Sequence, residues 1–281
     1  MKLTRVGAPG AERPAFIDDK GKLRDLSGVV TDIAGNVLNR KSLENLRRLD
    51  INSLPLLPQG TRFGAAVGQV GKMLCVGLNF KDHARESGLD LPEQPILFMK
   101  ATTAICGPND DVMIPWGSRK TDWEVELGVV IGEVARRVPE ERALDYVAGY
   151  LVVNDISERE FQLEHGGQWV KGKSCDTFGP IGPMLVTTDE VPHPQMLSMW
   201  LEVNGRRYQN GSTSDMIFGV AHLVSYISRY MTLMPGDIIS TGTPAGVGLG
   251  QRPPTYLKEG DVVELGIDGL GRQRQRVVAA P

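Results

Sequence analysis

Two glutamates and an aspartate carry the most distinctive chemistry in this sequence. In Asp122-Trp-Glu-Val-Glu-Leu-Gly-Val-Val-Ile-Gly132, Trp123, Val125, Leu127 and Val129 alternate with Asp122, Glu124, Glu126 and Gly128, the period of a strand with one apolar face. Glu124 and Glu126 then share a side, roughly 6 to 7 Å apart along the strand, and repel each other unless water or a cation lies between them. Alone, the pattern also fits the solvated face of a half-exposed strand. The next run, GYLVVND, is apolar almost throughout, as in a strand buried on both faces, yet it ends in Asn154-Asp155. A carboxylate there is costly unless paired or ligating, although Asp155 could equally cap the segment ISERE that follows. Three oxygen ligands without His or Cys point to Mg²⁺ or Mn²⁺.

A second constellation lies in Gly77-Leu-Asn-Phe-Lys-Asp-His-Ala-Arg-Glu-Ser-Gly88, where Asn79 opens and Gly88 closes a short predicted helix. His83 and Glu86 are three residues apart and share a face. A carboxylate holding one imidazole nitrogen leaves the other free to take a proton from water. His-x-x-Glu is common on surface helices, so the pair gains meaning only beside a metal site. Of the other histidines, His193 sits in a Pro-rich turn, and His165 and His222 lie in less informative contexts. The Gly- and Pro-dense stretch from Gln168 to Pro183 reads as a shaped loop displaying Lys171 or Lys173, a cation able to hold a carboxylate or a developing enolate oxygen. Ser240 to Gly250 follows the apolar run DIIS and could offer backbone N–H groups to an anion. Its glycines do not make a dinucleotide fingerprint: the third is wrongly spaced, and Pro253 and Pro254 stand where a helix would follow.

Positioning these groups requires a frame rich in strands. MLCVGL, ILFMK, VELGVVIG, YLVVND, LEVNG, DIIST and DVVELGI read as strands. ERALDYVAGY, FGVAHLVSYISRYM and SLENLRRLD read as helices, the last capped by Ser42 and the second with Val220, Leu223, Val224 and Ile227 at helical spacing. That balance predicts an α+β fold rather than an alternating βαβ chain. Pro55, Pro58 and Gly60 punctuate SLPLLPQG, which predicts a small N-terminal domain over 1–70 and a catalytic domain over 71–281. Hydrophobic residues are 41% and charged residues 23% of the 281, ordinary globular usage that argues against a disordered or fibrous chain. Lys plus Arg is 31 against 34 for Asp plus Glu, a net charge of −3 with no basic block, so nucleic acid is not an expected partner. No 18-residue apolar run and no signal-peptide core are found, so the expectation is a cytoplasmic protein without a membrane partner. Cys75, Cys106 and Cys175 lie far apart and suggest neither a disulfide framework nor a zinc site.

Taken in order, GLNFKDHARESG, PILFMK, DWEVELGVVIG, GYLVVNDISERE, WVKGKSCDTFGPIGP, VNG, PGDIISTGTPAGVG and GDVVELGIDGLG resemble the fumarylacetoacetate hydrolase family. The resemblance is to its bacterial 2,4-diketo-acid hydrolase branch, often labelled ureidoglycolate lyase, and covers about Met73 to Val278. It implies a large mixed β-sheet roll with a small N-terminal domain, assembled as a homodimer. It also implies that Glu124, Glu126 and Asp155 bind Mg²⁺ or Mn²⁺. His83 and Glu86 would lie on a lid that orders with ligand and activates water. The family lysine falls on Lys173, not Lys171; Arg159 and Gln162 would line the pocket, with Thr243 a further substrate contact. Glu158-Arg159 replaces a frequent Ala-Arg, and an aromatic or proline near Cys175 is missing; both departures bear on pocket shape. The implied reaction is hydrolysis of a C–C bond in an acylpyruvate-type 2,4-diketo acid, such as a 2,4-diketo-3-deoxy sugar acid, giving pyruvate and a carboxylic acid. Two alternatives stay open: a lyase or decarboxylase acting on ureidoglycolate or oxaloacetate at the same site, and a metabolite-binding protein without turnover.

Overall fold

In the computed structural model, which describes residues 1–86, 88 and 90–280, the apolar runs pair into two sheets. The larger has nine strands in the order Leu23–Asp25, Arg13–Ile17, Lys2–Val6, Leu185–Thr187, Val147–Asn154, Val125–Ile131, Ile238–Ser240, Met73–Gly77 and Ile96–Lys100. Only Ile238–Ser240 and Met73–Gly77 pair in parallel; the other neighbours are antiparallel, so the sheet is mixed. The smaller sheet runs Arg206–Ser212, Ser198–Val203, Val262–Ile267, Gly271–Ala279 and Val112–Ile114. Both end in edge strands and remain open. The fold is α+β, mostly sheet with few helices.

Stacking of the sheets explains why the central strands are apolar on both sides. Leu127, Val129, Tyr150 and Val152 share one buried cluster with Leu201, Leu265 and Val277 of the smaller sheet. Val130, Leu151 and Val153 belong to a second cluster with Leu3, Leu38, Leu43 and Leu46. The α-helix Val220–Tyr230 turns Val220, Leu223, Val224 and Ile227 into the first cluster, each fully buried side chain contributing roughly 1.5 to 3 kcal/mol. The first strands continue the large sheet, because Lys2–Val6 pairs with Leu185–Thr187 and the Met1 ammonium donates to Thr187 Oγ1 at 2.7 Å.

Three local expectations need correction. ERALDYVAGY is not one helix: a 3-10 helix spans Glu140–Tyr146, and Val147 onward joins the strand Val147–Asn154. Sheet pairing overrides the helical period there, and Gly149 accommodates it, since a Cβ at that position would lie 2.2 Å from the Val186 carbonyl oxygen. The helix Arg40–Arg47 is capped by Asn39, whose Oδ1 accepts from Ser42 N at 2.8 Å; Ser42 is inside the first turn and not the cap. Asn79 does not open the helix Lys81–Glu86. It is fully buried, donates to Phe218 O and Thr241 O at 3.0 and 2.7 Å, and accepts from Phe218 N at 2.8 Å. Gly88, at φ +66°, donates its N–H to Arg85 O and ends that helix as expected. Ser87 of the same motif lies outside the described residues. No helix among the described residues is long and apolar enough to cross a membrane.

Candidate active site

Glu126 projects from the strand Val125–Ile131, and Glu124 stands just before it. Asp155 immediately follows the neighbouring strand and donates its backbone N–H to Glu124 O at 2.9 Å. One carboxylate oxygen from each of Glu124, Glu126 and Asp155 lies within 4.8 Å of the others, and all three side chains are buried. The solvated-face reading of the glutamates therefore fails, and so does Asp155 as a helix cap: Glu158 caps Arg159–Leu163, accepting from Glu160 N at 3.2 Å.

Three buried cations answer the acids. Lys173 donates to Glu124 Oε2 at 2.7 Å and Asp155 Oδ2 at 2.8 Å. Lys100, at the end of Ile96–Lys100, pairs with Asp155 Oδ1 and donates to Ile156 O at 2.9 Å. Arg159 forks to Asp122 Oδ2 at 2.8 Å and Glu124 Oε1 at 2.6 Å, and its Nη1 donates to Gln162 Oε1 at 3.0 Å. Lys171 is exposed and donates to His165 O instead, so of the two lysines only Lys173 reaches the acids. Gly172 lets the turn Val170–Lys173 lie against Arg159–Leu163, since its Cβ would fall 2.3 Å from Glu158 O.

Asp122, Glu124, Glu126 and Asp155 are four carboxylates against the three cations Lys100, Arg159 and Lys173, which leaves one negative charge unmatched. Glu126 carries the mismatch: among the described residues it accepts only from Ser240 Oγ at 2.6 Å and Gly242 N at 2.9 Å, both at Oε2. Burial, then repulsion from Asp155 and Glu124, pushes the Glu126 carboxyl well above its usual range. Burial acts the same way on Glu124, but Lys173 and Arg159 more than offset it and hold that carboxyl well below the usual range. Burial opposes the charge on Lys173, and Asp155 and Glu124 outweigh it, raising its pKa. A buried, oxygen-only cluster with surplus negative charge fits a hard divalent cation held by Glu124, Glu126 and Asp155.

His83 approaches from above. The strand Met73–Gly77 runs into Leu78 at φ +52°, an uncommon left-handed turn for leucine costing roughly 1 to 2 kcal/mol, and the helix Lys81–Glu86 follows. His83 Nδ1 meets Glu86 Oε2 at 3.3 Å. The segment after Ser240 does bind anions, but they are the protein's own. Gly246 N donates to Glu86 at 3.0 Å, Ala245 N to Asp82 at 3.2 Å, Gly242 N to Glu126, and Gly248 N and Leu249 N to Asp122 at 2.6 and 3.0 Å. Gly250 gives Glu86 room, for a Cβ there would lie 2.3 Å from its carboxyl carbon. The Thr243 hydroxyl is committed too, donating to Val125 O at 2.9 Å and accepting from Gln209 Nε2 at 2.7 Å. A cavity of about 400 Å³ is lined by His83, Glu86, Glu124, Glu126, Arg159, Gln162, Lys173 and Thr243; Asp155 lies behind it. All nine expected site residues thus converge.

Sequence reasoning missed two members. Lys100 ends the apolar run ILFMK, the same signal that singled out Asp155. Asp122 was visible on the acidic face of its strand, but its partners Arg159, Gly248 and Leu249 are far away in sequence. Asp122→Asn turns a donor toward groups that now donate to a carboxylate, and is expected to cost about 2 to 4 kcal/mol of stability, measured by urea denaturation. A loss under about 0.5 kcal/mol would show that the clamp contributes little.

The family model for the C-terminal domain of fumarylacetoacetate (FAA) hydrolase matches residues 72–278. A Burkholderia multivorans protein carrying only a provisional hydrolase name is 60% identical over 281 residues, all of both chains. The fumarylacetoacetate hydrolase of psychrophilic Exiguobacterium antarcticum is similar with TM-score 0.86 and 35% identity, covering all of both chains. Maleylpyruvate hydrolase from Sphingobium sp. SYK-6 is similar with TM-score 0.84 and 29% identity, again covering 100% of each chain.

Proposed function

Because this chain belongs to the fumarylacetoacetate hydrolase family, we propose that it hydrolyses a C–C bond of a 2,4-diketo acid, with Mg²⁺ or Mn²⁺ at Glu124, Glu126 and Asp155. The observation that carries this reading is the convergence of those three buried carboxylates, Glu126 among them without an ion-pair partner among the described residues, at a cavity that also holds the His83–Glu86 pair. The metal, when bound, supplies Lewis-acid stabilisation for negative charge building on the 2-oxo group.

The chain's own residues do the rest. Arg159 has N–H groups left over from its ion pairs and, with Gln162, receives the substrate carboxylate. Thr243 contributes its backbone N–H, its hydroxyl being committed. Glu86 holds His83 Nδ1, so Nε2 takes a proton from water as the water oxygen bonds to C4. The C3–C4 bond then breaks, the carboxylic acid leaves from the C4 side, and the electron pair passes to the enolate of pyruvate. Lys173 lies beside that charge, and the proton held by His83 goes to C3. Water and diketo acid are thus converted into pyruvate and a carboxylic acid.

Acetylpyruvate is the test substrate. Turnover with Mg²⁺ or Mn²⁺ and a loss of about a hundredfold or more in EDTA are expected, the order of a few kcal/mol of charge stabilisation, with pyruvate and acetate quantified by NMR. Undiminished activity of metal-stripped protein would overturn the reading. A second reading, oxaloacetate decarboxylation, is favoured by one feature: Lys173, Arg159 and the acid cluster form a unit that does not include the His83–Glu86 pair.

A further inference from the structure

The cavity changes character from floor to mouth. Its basic lining groups are Arg159, Lys173 and His83, and each is already engaged: Arg159 with Asp122 and Glu124 and Lys173 with Glu124 and Asp155 at the floor, His83 with Glu86 on the helix Lys81–Glu86. Beside the acids, Gln162 and Thr243, the rest of the wall is Leu78, Phe98, Leu163, Trp169, Val247 and Leu249, with two glycines and Val76; Gln162 lies against Arg159 at 3.0 Å and the Thr243 hydroxyl is bonded to Val125 O and Gln209. Glu124 and Glu126 are 5% and 2% exposed, whereas Leu163 and Leu249 are 47% and 39% exposed, so these two leucines stand at the mouth, while Val76 and Val247, each 1% exposed, lie as deep as the acids. Phe98 and Trp169 meet edge to face, centroids 5.3 Å apart at 64°. Lys173 Nζ lies 5.0 Å from the Phe98 centroid, which fixes where the charged floor ends and the aromatic wall begins. Gly77 makes room for Trp169, since a Cβ there would lie 2.6 Å from its ring.

We infer that the substrate's group beyond C4 is uncharged and apolar, an aryl or alkyl chain lying against Phe98, Trp169, Leu163 and Leu249. This rests on the reading of the floor as the seat of a 2-oxo acid. The maleylpyruvate in the name of the Sphingobium neighbour carries a second carboxylate. Here such a group would enter an apolar mouth where, among the described residues, no lining cation is left to meet it, and desolvation would go uncompensated. A polyhydroxylated tail meets the same objection more weakly, most of its hydroxyls giving up water against the apolar side chains of the mouth. An aryl or alkyl tail instead covers leucines that otherwise face solvent.

The test uses Mn²⁺-loaded protein and 2-oxo acids that lack the 4-oxo group, so that binding is read apart from turnover. 2-Oxohexanoate and 2-oxoadipate differ only in a terminal methyl against a terminal carboxylate. Calorimetry is expected to find 2-oxohexanoate and 2-oxo-4-phenylbutanoate binding at least about tenfold more tightly than 2-oxoadipate, and more tightly than pyruvate. Leu163→Arg, at a half-exposed position that tolerates charge, is expected to narrow or invert the gap between 2-oxohexanoate and 2-oxoadipate. Equal or tighter binding of 2-oxoadipate to the unmodified protein overturns the inference, as does equal binding of pyruvate and 2-oxohexanoate. Hydrolysis of acetylpyruvate without any apolar preference would overturn this inference alone. An apolar preference without hydrolysis of any 2,4-diketo acid would support it and sink the hydrolase reading.

Discussion

Glu126→Gln is expected to abolish hydrolysis, by about a thousandfold or more, while making the metal-free protein more stable. The two effects share one cause. Glu126 stands buried against Asp155 and Glu124 with only a hydroxyl and a backbone N–H as partners, and its carboxyl is pushed well above the usual range. Without a cation its ionised form is a liability; beside one it would serve as a ligand. The amide oxygen of glutamine can still accept from Ser240 and Gly242, while its NH₂ can donate to a neighbouring acid, so the substitution removes charge without leaving a hole. A gain of about 1 to 3 kcal/mol is expected for the metal-free protein at pH 7. The pH dependence follows from the direction of the shift. A carboxyl raised in the folded state contributes stability below its ordinary value of 4.5 and loses it as pH climbs through the raised value. Glu124 is held low, so its contribution is present above 4.5 and is lost as pH falls through the lowered value. Destabilisation of the metal-free protein on the alkaline side of pH 4.5 should therefore vanish in Glu126→Gln, while the acid-side loss from Glu124 stays. Mn²⁺ at about a hundred times its dissociation constant should add roughly 2.7 kcal/mol to the wild type, and little to the variant. Thermal unfolding across pH with and without Mn²⁺, beside acetylpyruvate turnover, measures all of this. A variant within threefold of wild-type activity, or one whose Tm still rises with Mn²⁺, would remove Glu126 from the metal site.

What could be read in the sequence and what could not divides along a physical line. The strand bearing Glu126, with Glu124 just before it, declared itself because alternation of Trp123, Val125, Leu127 and Val129 is local and needs no partner. Asp155 was visible because a charge ending an apolar strand demands compensation, and Lys100 answers the same description at the end of ILFMK. Their pairing with each other was not visible, since 55 residues separate them. Asn79 shows the limit most clearly: its type suits a helix start, yet burial turns its amide to Phe218 and Thr241. The segment after Ser240 was readable as an anion cradle from its glycines and small residues. That the anions are Glu86, Asp82, Glu126 and Asp122 depends on contacts spanning 116 to 163 residues, which no local period reports. The misread end of ERALDYVAGY has the same origin, because the helical spacing continues into residues that Leu185–Thr187 and Val125–Ile131 claim as a strand.

His83→Ala is expected to cut hydrolysis by about 10² to 10⁴, the range of a positioned general base, while oxaloacetate decarboxylation, where present, falls by less than about threefold. The asymmetry follows from the geometry. The imidazole belongs to the short helix Lys81–Glu86, tied to the rest of the site through Glu86 and Asp82 on the amides of Gly246 and Ala245, whereas Lys173, Arg159 and the acids form a separate buried unit. Removing the ring takes away proton transfer from water and leaves charge stabilisation at the floor intact. Gly250→Ala tests the same division without touching His83. Its new methyl carbon would fall 2.3 Å from the Glu86 carboxyl carbon, so Glu86 must leave Gly246 N, and the imidazole loses its support. A loss of about 10 to 100-fold in hydrolysis is expected, the usual size for a group that orients another. The rise in Tm on adding Mn²⁺ should be unchanged, because Glu124, Glu126 and Asp155 are untouched. If His83→Ala abolished decarboxylation along with hydrolysis, or if Gly250→Ala also erased the Mn²⁺ effect, the helix Lys81–Glu86 and the acid cluster would have to be one machine.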